Sequence, residues 1–394
     1  MNDLLSTRAR QIKPSATVAV ADLVRELKNQ GHDVISLSAG EPDFDTPNPI
    51  KQSAIEAIQQ GFTKYTNIEG TPALKMAITH KLRHDNQLDY EPNEIIVSNG
   101  AKQSIYNAIM AVLNAGNEAI IPAPYWVSYP PMVKMAEAVP IIIQTTLSQN
   151  FKITPQQLEE AITPKTRLLI LNSPSNPSGV VYSKSELEAL AEILLKYSKV
   201  LILSDDIYEY ILWGQDHFAN IVNACPKLRD RTIVINGASK AFAMTGWRIG
   251  YAAAPKAIVQ AMKKIQSQST SSPNSIAQVA ATTALGYNRG YFSYMYEAYK
   301  ARHDLTLQAL NQMKGMRCIP ADGAFYLFPD VTETIKRLKL SSDIELSTHL
   351  LDKTNVAVVP GSAFGSPGHI RLSCATSNEK LREALDRLSS VLNH

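Results

Sequence analysis

Between Glu94 and Ala254 short apolar runs alternate with stretches of helical periodicity. Residues 95–97 precede a helical pattern over 102–113, 119–121 precede one over 127–136, and 166–171 precede one over 186–196. Apolar runs at 200–203, 232–235 and 249–253 complete the series. A strand that is apolar at every position is covered on both faces, so the pattern predicts an α/β fold with a mainly parallel sheet between helices. Helical spacing then dominates residues 256–313, and the remainder mixes helices with strands near 325–327, 356–359 and 370–373. The first 48 residues hold a basic arm, a helix near 18–29 and a short strand at 34–37. That is too little for a core, so they are expected to join the C-terminal part in a smaller, discontinuous α/β domain. The resulting division is 1–48 as arm and part of the small domain, 49–290 as the large domain, and 291–394 as the rest of the small one.

Composition narrows the class. With 394 residues the chain exceeds the size at which single cores stop growing. Thirty-nine basic and 36 acidic residues, dispersed for a net +3, offer no patch for nucleic acid or a membrane surface. Apolar runs such as Val139-Pro140-Ile141-Ile142-Ile143 are strand-length, and the run from Met1 to Arg8 has no signal-peptide core, so a cytoplasmic protein is expected. Cys225, Cys318 and Cys374 are isolated and odd in number, as reduced core thiols are. His80 and His84, spaced i, i+4, read as a solvated helix face beside Lys81 and Arg83 rather than a metal site.

The chemistry lies where strands end, the place where open α/β sheets bind ligands. Ser239-Lys240-Ala241 follows residues 232–235 and leads to Gly246-Trp247-Arg248. A lysine in small, apolar surroundings is held towards its neutral form, which attacks an aldehyde to make a Schiff base. The arginine eight residues on offers a planar fork for a phosphate. Pyridoxal phosphate (PLP) carries both groups. Ser98-Asn99-Gly100-Ala101-Lys102 opens a helix whose free N–H groups suit a phosphate. There is neither a GxGxxG nor a P-loop motif. In Ser204-Asp205-Asp206-Ile207-Tyr208 an acid straight after four apolar residues needs a cation, and a pyridinium nitrogen is one; helix N-caps are the plainer use of these aspartates. Asn176 projects from the proline-stiffened turn Asn172 to Gly179, Trp126 follows a strand end, and Arg371 lies within an alternating strand, where it requires an anion.

Taken together, Ser239-Lys240 with Arg248, Asp205-x-x-Tyr208, Asn176-Pro177-x-Gly179 and Arg371 resemble the class I/II aminotransferases of PLP fold type I, which implies that the large domain's mainly parallel sheet is seven-stranded. The match extends from Lys13-Pro14-Ser15-Ala16-Thr17 and Gly40-Glu41-Pro42-Asp43-Phe44 to the last helix, and is most specific to the bacterial aspartate (aspartate/prephenate) subgroup. The resemblance implies that Lys240 carries PLP and shuttles the proton, Asp205 pairs with the ring nitrogen, Tyr208 and Asn176 hold the ring oxygen, and Trp126 stacks on the ring. It gives the phosphate to Gly100, Ala101, Lys102 and Arg248, with Tyr65 from the other subunit of a homodimer. It assigns the α-carboxylate of the substrate to Arg371, Asn176 and the backbone at Gly40, and places Trp126 beside the substrate. Lys102, Ser15 and Thr17 would take the distal carboxylate of aspartate or glutamate, the amino group passing to a 2-oxo acid such as 2-oxoglutarate, and Lys13 occupies a position that admits prephenate in some members. A C–S β-lyase of the same fold, or an aminotransferase for aromatic or neutral amino acids, is the competing expectation.

Overall fold

The computed structural model describes residues 4–213 and 218–393. Residues 1–3 of the N-terminal run lie outside it. In chain order the strands are β1 Ile35–Ser36, β2 Ile95–Asn99, β3 Glu118–Pro122, β4 Val139–Ile143, β5 Thr166–Asn172, β6 Leu201–Asp205, β7 Thr232–Gly237, β8 Ile249–Ala253, β9 Tyr326–Leu327, β10 Val356–Ala357, β11 Val359–Pro360 and β12 Ile370–Ser373. Seven of them form the central sheet in the order β2-β8-β7-β6-β5-β3-β4. Residues of alternate parity face two separate cores, Val97, Leu169 and Leu171 on one side and Ile96, Leu168 and Ile170 on the other. This two-sided burial is what the unbroken apolar runs predict.

Strand β8 alone runs against its neighbours, antiparallel to both β2 and β7. A parallel crossover needs a dozen or more residues with a full helix. Residues 238–248 supply only the short helix Ala238–Ala241 and a turn, so the chain comes straight back. Lys240 therefore sits beyond the carboxyl end of β7, and Arg248 enters beside it just ahead of β8. At β8, Gly250 is pressed so close to the start of the helix Ala101–Val112 that a Cβ would lie 2.0 Å from the Ala101 nitrogen. No side chain fits there.

The short strand β1 pairs in parallel with β10, while β11, β12 and β9 make a second, antiparallel sheet. Ile35 and Leu37 share a core with Leu310, Val356, Leu372 and Leu388, so early residues pack with late ones. Some boundaries move. The helix expected from residue 127 begins at Tyr129, because Pro130 and Pro131 occupy its first turn, where a missing N–H costs nothing. Lys81 departs from the expected solvated face: it is buried, bonded to the Glu209 carboxylate and to Asn86 Oδ1, and Asn86 bonds Glu209 in turn. It shares the inward stripe of Leu74, Ile78 and Leu82, where only a fully paired ammonium is tolerable. His80 and His84 are exposed and stacked, and no cluster of metal-ligating residues occurs among the described residues. Nor is any described helix long and apolar enough to cross a membrane.

Candidate active site

The carboxyl ends of β5, β6 and β7 open onto a cavity of about 650 Å³. Its lining includes Thr17, Gly40, Ala101, Lys102, Trp126, Asn176, Asp205, Tyr208, Lys240, Arg248 and Arg371, brought together from residues far apart in the chain. Register explains part of this convergence. Asn172 of β5 stands opposite Asp205 of β6, which stands opposite Ile235 of β7, so the residues that follow all emerge at one edge.

Lys240 is half-buried, and its Nζ donates to the carbonyl of Gly40. Burial pulls its pKa down to about 8; Glu41 opposes this, and the charges of Arg248 and Arg371 add to it. Asp205 is only 4% exposed. Its Oδ2 accepts from the Tyr129 hydroxyl at 2.5 Å and its Oδ1 from the Ile207 amide at 3.4 Å. Burial drives its pKa up to about 6, because the Tyr129 and Ile207 bonds and the Lys240 charge offset it only in part, and no cation forms an ion pair with it among the described residues. The neighbouring Asp206 faces away from the cavity and takes bonds from Ser204 Oγ and Asn220 Nδ2. Neither aspartate is a helix cap of the kind the plainer reading allows.

Arg371 is almost wholly enclosed at 2% exposure. Its Nη1 donates to Asn176 Oδ1 at 3.0 Å and its Nη2 to the Ser38 carbonyl at 2.6 Å, while Nε has no partner. No carboxylate neutralises it among the described residues. The turn that carries Asn176 is fastened from behind, its amide donating to Asn172 Oδ1 at 2.8 Å. At the other end, Arg248 lies across Gly100, where a Cβ would strike the guanidinium at 2.2 Å. Gly100 has φ +84° and caps the helix Ala101–Val112, so glycine serves both the backbone conformation and the approach of Arg248. Lys102 holds its ammonium 5.0 Å from the Trp126 ring centre; desolvation, then Arg248, lowers its pKa.

Three expected residues fall elsewhere. Lys13 is exposed and Ser15 bonds Thr17 Oγ1 at 2.9 Å, and neither lines the cavity. Tyr65 is 94% exposed and also outside the lining. The cavity adds residues to which the sequence assigns no role: Ser38, Glu41, Tyr129, Ser239 and Tyr326. Tyr129 and Tyr326 sit among other aromatics in sequence, and only their hydroxyl partners, far along the chain, set them apart.

Residues 32–388 match the family model described as aminotransferase class I and II. The chain belongs to the class I and II aminotransferases. An aspartate/prephenate aminotransferase of Nitrosomonas europaea is 53% identical to this aminotransferase over 99% of the chain and 100% of its own length. An aspartate aminotransferase of Bacillus sp. strain YM-2 is 48% identical, covering 98% and 99%. The aspartate aminotransferase of Thermus thermophilus with maleate superposes with a TM-score of 0.93 at 44% identity, covering 98% and 99% of the two chains. This aminotransferase therefore takes PLP. The cavity's own chemistry suits that cofactor: a buried acid short of a cation, a desolvated amine, and an arginine beside the free N-terminus of a helix.

Proposed function

We propose that this aminotransferase moves the amino group of an acidic amino acid, aspartate first, to a 2-oxo acid within the cavity of Lys240 and Arg371. The observation that carries the substrate class is Lys102, a cation on the cavity rim with no hydrogen-bonded or ion-paired acid among the described residues. Two cations, Arg371 within and Lys102 at the rim, suit a ligand with a carboxylate at each end. The maleate named with the Thermus structure, a dicarboxylate, favours the same reading.

Bound PLP would supply an electron sink for the carbanion left when the substrate's Cα loses its proton. Asp205 would hold a proton on the ring nitrogen, fixed in direction by Tyr129. Arg248, with the backbone of Gly100 and Ala101, would anchor the phosphate, and Trp126 would cover the ring. Tyr208 and Asn176 would hold the ring oxygen. Arg371, kept in place by Asn176 and the Ser38 carbonyl, would take the α-carboxylate beside Gly40 and so turn the Cα–H bond towards Lys240. The lysine's lowered pKa leaves a useful neutral fraction near pH 7 for moving that proton. With prephenate named for the Nitrosomonas relative, the same cavity would admit it as an acceptor. Lys13, exposed beyond the lining, would act there only if the arm closes over the rim.

Lys102→Ser tests the acidic preference. With one carboxylate left unpaired, kcat/KM for aspartate falls about 30- to 100-fold, whereas that for alanine or phenylalanine changes less than about 5-fold. Equal losses across acidic and neutral donors would assign Lys102 to the phosphate and remove the basis for aspartate.

The working unit in this proposal is a cytoplasmic homodimer. Tyr65, its ring 94% exposed in the single chain, would reach the phosphate of the other subunit. Light scattering should give twice the 43.3 kDa chain mass. Tyr65→Phe should weaken PLP retention on dialysis without changing Tm. A fully active monomer would refute the arrangement.

A further inference from the structure

The hydroxyls of Tyr208 and Tyr326 lie 2.8 Å apart, both buried, and both residues line the cavity. The Tyr326 ring also faces the Arg371 guanidinium, whose carbon is 4.5 Å from the ring centre. Its hydroxyl comes within 3.3 Å of the Cβ position built on Gly40. One side chain thus touches the groups assigned to the cofactor's ring oxygen and to the substrate's carboxylate.

We infer that Tyr326 is a positioning residue that donates its proton to Tyr208, so that Tyr208 is left free to donate into the cavity. This rests on the proposed role of Tyr208 at the ring oxygen.

The argument is one of proton count. Two phenols in contact share one hydrogen bond, and either oxygen can be the donor. Each hydroxyl has a single proton. If Tyr208 gives its own to an acceptor in the cavity, the bond to Tyr326 survives only with Tyr326 as the donor. The surroundings favour that direction. Burial raises the pKa of both phenols and the Arg371 charge opposes the rise at both, but it is the Tyr326 ring that faces the guanidinium, 4.5 Å from its carbon, which makes Tyr326 the readier donor. A phenol that receives a hydrogen bond is polarised and donates more strongly itself. Tyr326 would therefore strengthen Tyr208's hold on an oxygen anion without touching that anion.

The test is the pH midpoint of the visible absorption of the PLP-loaded protein, read without substrate, in Tyr208→Phe, Tyr326→Phe and the double variant. Tyr208→Phe removes a donor that favours the oxygen anion and should raise the midpoint by about 1 unit. Tyr326→Phe removes only the polarising bond and should raise it by about 0.3 to 0.5 unit. In the double variant the second change should add nothing, because its effect passes through Tyr208. Tyr326→Phe keeps the ring on Arg371, so KM for the amino acid should hold while kcat drops; Tyr326→Leu, which removes the ring, should raise KM as well. A Tyr208→Phe midpoint equal to wild type would sink the role of Tyr208 itself. A shift in Tyr208→Phe with none in Tyr326→Phe would overturn the relay alone. So would a Tyr326→Phe shift that persists in full without the Tyr208 hydroxyl.

Discussion

Replacing Lys240 with alanine is expected to abolish turnover while leaving a folded protein that still binds PLP. The lysine projects from residues 238–248, whose path is fixed by β7, β8 and the glycine contacts rather than by its own side chain. Asp205, Arg248 and the N-terminus of the helix Ala101–Val112 remain to hold the cofactor. What disappears is the amine that burial draws towards neutrality, to a pKa of about 8. An ordinary lysine is neutral to less than about one part in a thousand at pH 7, whereas a pKa near 8 gives roughly a tenth. The loss combines covalent attachment with proton transfer, so kcat should fall more than about 10⁴-fold. Borohydride treatment of the wild type should leave cofactor covalently on the peptide containing Ser239-Lys240-Ala241, and treatment of Lys240→Ala should leave none. Label on a different lysine would contradict the assignment.

Asp205→Asn should cost two to four decades in kcat with a much smaller loss of cofactor affinity, since an amide does not hold a proton on the ring nitrogen. The adjacent Asp206 is the control. It is equally buried, but its oxygens are committed to Ser204 and Asn220, away from the cavity. Asp206→Asn should therefore lower Tm and leave kcat within about 10-fold of wild type. The opposite pattern would mean that the two carboxylates exchange places on PLP binding. Tyr129 supplies a further readout, because its hydroxyl is the one side-chain donor to the Asp205 carboxylate among the described residues.

The sheet and the reactive groups were readable because both are local. Apolar runs mark strands, and Lys240, Asp205, Asn176 and Gly100 stand within a few residues of a strand end. Arg371 was readable through a mismatch between its charge and its apolar strand. The reversed direction of β8 was not read, although the brevity of residues 238–248 signals it. Tyr129 and Tyr326 were missed for a different reason. Their defining contacts lie 76 and 118 residues away, and a tyrosine in an aromatic-rich stretch looks the same with or without them. Lys81 did carry a signal, since it falls on the inward side of a helix after Leu74 and Ile78, but its charged neighbours masked it. Its partner Glu209 is 128 residues distant.

Strand β8 returns beside β7, so the same brief connection delivers both Lys240 and Arg248. The spacing between the covalent handle and the phosphate handle is then a matter of chain length, as on a ruler clamped at both ends. One residue more or fewer between them would shift the handles by up to about 3.5 Å, more than a hydrogen bond is long. Side chains along this stretch are held as well, Phe242 and Met244 by burial, Thr245 by Glu41 and Trp247 by Thr46. The helix Ala16–Asn29, which lines the cavity through Thr17, Val18 and Ala21, lies outside that interval, so a change there leaves the ruler's length as it is.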